Sequence, residues 1–136
     1  MNQIELSKEE IARRKSLAEN AKHMIMSQIR FESEDEHSIV TTYRDFYLQI
    51  SFSELHPLMV ICLIRSLHEN LPSQQETAVN ELNLKSVLGC HSLNLHFGFY
   101  HYRSTHWLDS ELTAERFFEI LDRCVEDAVR GYTVFL

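Results

Sequence analysis

Four histidines, His91, His96, His101 and His106, recur every five residues beside Cys90. Imidazole and thiolate are the ligands that zinc favours, so a metal site is the first chemistry this spacing invites. Strand geometry resists it. Residues an odd number apart point to opposite faces, so His101 and His106 cannot meet one ion on a regular strand. The close ligand pairs of ordinary zinc sites, Cys-x-x-Cys or His-x-x-x-His, are also missing. These histidines are therefore expected on a sheet surface and in a turn, with no metal and no cofactor.

Nucleophilic chemistry needs an exposed, activated thiolate beside a positioned base. Cys62 and Cys124 instead lie inside apolar patterns and read as small buried hydrophobes. The chain has no Gly-rich phosphate loop, no Gly-x-Ser-x-Gly and no HExxH. The carboxylates of "ESEDE" form a solvated acidic run, whereas general acid catalysis needs a buried carboxyl with a raised pKa. No catalytic residue is expected, and the protein reads as a non-enzyme. An aromatic group, Phe97, Phe99, Tyr100, Tyr102 and Trp107, could stack nucleic-acid bases, but Arg103 alone supplies positive charge there. Cross-strand aromatic pairing is the simpler reading. Tyr100, Tyr102 and Trp107 are also candidates for an exposed face that anchors a partner polypeptide, because Tyr and Trp concentrate at binding hot spots.

The charge balance points the same way. Thirteen Lys and Arg stand against twenty Asp and Glu, a formal charge of −7, which disfavours nucleic acid and anionic membranes as partners. The longest apolar run, "LMVICLI" from Leu58 to Ile64, is far short of the roughly twenty residues of a membrane span. Three cysteines with no cleavable signal segment suggest reduced thiols in a cytoplasm. The length of 136 residues suits one domain, residues 1–136, with a real core.

The elements that must position these residues are marked by three glycines and two prolines, each at a change of pattern. Ser7 and Glu10 form a capping box for a helix over about residues 8–25, with Ile11, Leu17, Ala18, Ala21, Met24 and Ile25 on one side. "SIVTTY" and "FYLQISF" read as strands joined near Arg44 and Asp45. Pro57 opens a third strand, "LMVICLI", apolar on both faces. Ser73 starts a second helix that Gly89 stops. "CHSL" and "GFYHYRSTH" are strands around a turn at His96 to Gly98. Thr113 caps a last helix, ended by Gly131, with Phe117, Phe118, Ile120, Leu121, Cys124, Val125, Ala128 and Val129 on one half and Glu119, Asp122, Arg123, Glu126 and Arg130 on the other. The order α-β-β-β-α-β-β-α predicts the α+β class, an antiparallel sheet of about five strands with three helices.

The second helix departs from the third. In "AVNELNLKSVLG" the apolar residues spread around nearly the whole circumference, so more than one side must be covered. A second copy about a two-fold axis is an economical cover. Val79, Asn83 and Val87, close together on the wheel, are the expected homodimer interface. The unalternating third strand supports the same reading.

The element order, with "VNELNLKSVLGCHSL" leading into "GFYHYRSTHWLDSELTAERFFEILDRCVEDAVRGY", resembles the YbjN-like domain, a family of bacterial sensory transduction regulators. The resemblance rests on Asn80 and Asn83, Leu88 with Gly89, Tyr102 with Arg103, and Leu112 with Thr113, and is strongest from Pro72 to Tyr132. It implies a fold like that of the class I type III secretion chaperones, which are small, acidic, usually dimeric and bind polypeptides. The expected function is a non-enzymatic regulatory or polypeptide-binding module of a bacterial cytoplasm. The alternatives are a small enzyme or metal-binding protein using His and Cys residues of the 90–106 hairpin, and an accessory subunit of a larger assembly.

Overall fold

Arg44 and Asp45 both take positive φ, 47° and 70°, the pair of left-handed residues that a two-residue hairpin turn requires. That turn joins β2 (Ser38–Tyr43) to β3 (Phe46–Ser53) in the register Tyr43 opposite Phe46. The computed structural model describes residues 5–53, 55–68, 75–109 and 112–136. Within them the chain runs α1 (Lys8–Gln28), β1 (Ser33–Glu34), β2, β3, β4 (Leu58–Ser66), α2 (Gln75–Lys85), β5 (Cys90–Asn94), β6 (Phe99–Trp107) and α3 (Ala114–Thr133). The strands form one antiparallel sheet in the order β1-β2-β3-β4-β6-β5. The α+β class is as the sequence predicts. The added strand, β1, comes from the acidic stretch, which carries no apolar alternation. It pairs with Val40 and Ile39, and Lys22 of α1 reaches over to donate to the Glu34 carboxylate at 2.6 Å.

Alternation explains which face is covered. Phe46, Leu48, Ile50 and Phe52 of β3, Met59, Ile61 and Leu63 of β4, and Tyr100, Tyr102 and Ser104 of β6 are buried on one face. The register aligns Leu48 with Leu63 and Leu63 with Tyr102, so these residues form continuous rows across the sheet. Helix α3 lays Phe117, Leu121, Cys124, Val125, Ala128 and Tyr132 on them, and α1 adds Ala18, Ala21 and Ile25. Burying each large apolar side chain contributes about 1.5–3 kcal/mol, which fixes the core between sheet and helices. Polar ties set the angle of α3: Tyr43 Oη donates to Asp122 at 2.6 Å, and Tyr132 Oη to the Ser66 carbonyl at 2.7 Å.

Both observed caps follow the sequence. Ser7 Oγ accepts from the Glu10 amide and Thr113 Oγ1 from the Arg116 amide. The Glu10 side chain, however, turns to Arg13 and Arg14, whose guanidinium groups hold its carboxyl down at about 2. Helix α1 extends to Gln28, and Ile11, expected on its inner side, is half exposed. The proposed start of the second helix at Ser73 lies outside the described residues. Gly131 does not end α3. It sits inside the helix because a Cβ there would enter the space of the His91 and Tyr100 side chains, so the glycine serves close packing rather than termination.

Candidate polypeptide-binding surface

The second face of the sheet carries no described helix. Strand β4 buries only alternate residues, and Leu58, Val60, Cys62 and Ile64 of the "LMVICLI" run turn to this open face, half-buried by their neighbours. The expectation of a strand apolar on both faces is met in composition. Its second apolar side is flanked by residues of the neighbouring strands, Tyr47 of β3 and His101 and Trp107 of β6 among them. Across from these residues β6 places Trp107 opposite Leu58, Thr105 opposite Val60, Arg103 opposite Cys62 and His101 opposite Ile64. Trp107 is 73% exposed, and Tyr47 of β3, beside Ile64, is 57% exposed. At the hairpin end of this face a groove of about 610 Å³ is lined by Ile64, Ser92, Leu95, Phe99 and His101. An apolar row of aliphatic and aromatic side chains, left wet, is what a docking polypeptide buries.

Of the three aromatic residues proposed from sequence, only Trp107 lies on an exposed surface. Tyr100 and Tyr102 are fully buried under α3, because β6 alternation sends even-numbered residues from 100 to 104 to the helix side. Their hydroxyls enter a polar cluster around Asp127. Tyr102 Oη donates to the Asp127 carboxylate at 2.9 Å, and Tyr100 Oη lies 2.5 Å from His91 Nδ1. Burial pushes both phenols well above their usual range and lowers the His91 imidazole, opposed by the Asp127 charge. His91, expected on a sheet surface, is instead a core residue of β5 whose Nε2 stands 3.9 Å from Asp127. No sequence signal marked Asp127, whose position on the α3 wheel borders the charged side.

A second grouping, Ser104, His106 and Cys124, has the residue types of a nucleophile with its base. Ser104 Oγ lies 2.7 Å from His106 Nε2 and 3.1 Å from Cys124 Sγ. The thiol is fully buried and burial holds its pKa up at about 11, so it is neither accessible nor ionised near neutral pH. His101 faces the open side and His106 the helix side, as the odd spacing requires. Among the described residues no group of three His, Cys, Asp or Glu side chains could hold a metal ion. Nor is any described helix long and apolar enough to cross a membrane.

Helix α2 has no buried residue. Val79 and Leu82 rest half-buried against the core, while Leu84 (85% exposed), Val87 (101%) and Leu88 (39%) stand in water. The sequence-derived interface Val79, Asn83 and Val87 does not form one exposed patch. Asn83 turns inward to β5, and Val87 lies beyond the helix end at Lys85. Between this end of α2 and α3 is a groove of about 540 Å³ bordered by Leu82, Leu88, Arg123 and Arg130 with Asp127 beneath.

No protein-family model matches the chain, and no curated protein matches it in sequence. Solved structures do. A chain of the HopA1-SchA chaperone-effector complex superposes with a TM-score of 0.58 at 14% identity, over 94% of this chain and 98% of that one. A chain of the complex between the Yersinia pestis type III secretion chaperone SycH and a stable fragment of YscM2 gives 0.55 at 15% identity, over 86% and 98%. At such identities the likeness is one of fold, and the fold of this protein is like that of type III secretion chaperones.

Proposed function

We propose that the protein is a non-enzymatic, chaperone-like regulatory module of a bacterial cytoplasm, of the YbjN-like kind, that binds a partner polypeptide on the open face of its sheet. The observation that carries this reading is the uncovered apolar row of Leu58, Val60 and Ile64 with Trp107 at its end. The fold likeness to chains of chaperone complexes supports it. A formal charge of −7 favours a basic partner, whose association slows as salt rises. The module works as a homodimer, with Leu84, Val87 and Leu88 as the contact between copies, since Leu84 and Val87 stand in water and Leu88 is partly exposed in the described chain.

The test begins with capture from the native host and identification of the bound polypeptide, followed by titration of that polypeptide into purified protein. Trp107 is the only tryptophan, so its fluorescence reports contact on the open face directly. Trp107→Ala with Tyr47→Ala, which lacks the fluorescent reporter and is titrated by calorimetry instead, should weaken binding while leaving the melting temperature near that of the unmutated protein. Undiminished affinity in that variant would exclude the open face.

A further inference from the structure

The Asn83 side chain sits where the backbone of a neighbouring strand would sit. Its Nδ2 donates to the His91 carbonyl at 2.9 Å and its Oδ1 accepts from the His91 amide at 2.7 Å. One carboxamide thus supplies the donor and the acceptor that an adjacent strand supplies at one residue. Strand β5 is the edge of the sheet, with β6 on its inner side. Since an antiparallel ladder turns alternate residues inward and outward, the main-chain groups of Leu93 face the same way as those of His91. Unpaired edges of this kind recruit other chains unless something covers them.

The cover is lightly held. Helix α2 has no buried residue, packs mainly on β5, and is tied at its C-terminal end by Asn83 and by Ser86, whose Oγ donates to the Gly89 carbonyl at 2.5 Å. Of the apolar side chains at this end, Leu82 rests half-buried against the core while Leu84 and Val87 are uncovered within one copy, so lifting this end of α2 from its own β5 exposes Leu82 and little other apolar surface. Beside the edge, the groove containing Leu93, Leu95 and Phe99 offers room for a side chain of an added segment.

We propose that the outer edge of β5 is a strand-addition site for an extended segment of a partner polypeptide, and that Asn83 holds it shut as an autoinhibitory contact. Recognition there is of backbone, through His91 and Leu93, and is loose in sequence, in contrast to docking on the open face. The inference rests on the polypeptide-binding reading but concerns a different surface.

The experiment follows amide resonances while a short peptide of alternating threonine and valine, flanked by lysines, is added to the full chain. The unmutated protein is compared with Asn83→Ala, and the peptide with a version N-methylated at alternate residues. Asn83→Ala should bind at least about tenfold tighter than the unmutated protein, with saturable shifts at the His91 and Leu93 amides that the N-methylated peptide does not cause. Equal affinity in the two proteins, or equal binding of the N-methylated peptide, overturns the proposal. If Asn83→Ala does not fold, Asn83→Asp is read the same way, since it keeps the acceptor for the His91 amide and loses the donor. Shifts confined to Trp107 and Thr105 also overturn the edge site while leaving the open-face reading intact. Self-association of Asn83→Ala through β5 without peptide assigns the edge to a second copy and overturns the partner named here.

Discussion

Gly131 of α3 lies directly against the His91 ring of β5, and a Cβ at that position would collide with both that ring and the Tyr100 hydroxyl. Alanine normally improves a helix interior by about 1 kcal/mol over glycine. Here both neighbours are buried rings that cannot swing away, so Gly131→Ala should destabilise by about 1–3 kcal/mol instead. Denaturant melts check the sign, with the exposed Val129→Ala expected within about 0.5 kcal/mol of the unmutated protein.

The two faces of α3 should respond differently to truncation. Phe117→Ala and Leu121→Ala each open a cavity in the core and should cost about 2–5 kcal/mol. Glu119→Ala and Arg123→Ala break only an exposed ion pair, 3.3 Å long, and should stay within about 0.5 kcal/mol. Tyr102→Phe keeps the ring but removes the donor to Asp127, which should cost about 1–3 kcal/mol. Equal losses on both faces in chemical melts would contradict the placement of the core.

Stability should fall on mild acidification. Burial depresses the imidazoles of His91, His101 and His106 below their ordinary value of 6.5. The unfolded chain therefore binds protons that the folded chain refuses. Stability is complete above about pH 6.5 and is lost as pH falls from there through the lowered folded-state values. Melts between about pH 7.5 and 5 should show the decline, and His91→Gln should flatten it by removing one of the titrating groups. A flat profile for the unmutated protein would contradict the burial of these rings.

The dimer is tested at the exposed end of α2. Leu84→Asp with Val87→Asp places charge in the proposed contact and should yield monomers by light scattering at micromolar concentration, with the fold retained because neither residue is buried. A monomeric unmutated protein would remove this contact.

Much of the fold was legible in the sequence because periodicity and punctuation agreed: Ser7 and Thr113 are caps, Arg44 and Asp45 are the hairpin turn, and β3 alternates strictly. What failed was assignment of partners to faces. Tyr100, Tyr102 and Trp107 sit on one aromatic strand, and residue type does not reveal which parity faces the helices. That is decided by the β4–β6 register and by where α3 lands. Asn83 looked like one of several residues on an apolar wheel, yet its amide is spent on β5, a contact that joins residues eight apart across a loop. Gly131 resembled a helix stop because a close approach from another element leaves the same glycine in the sequence.

The most direct test of the open-face reading is photo-crosslinking with a benzophenone side chain placed at Trp107 in the native host, with the same group at Glu119 on the outer side of α3 as the control. A polypeptide captured at position 107 and not at 119, and competed by the purified partner, is the expected result. Equal capture at both positions, or capture at 119 alone, would contradict the binding of polypeptide on the open face of the sheet.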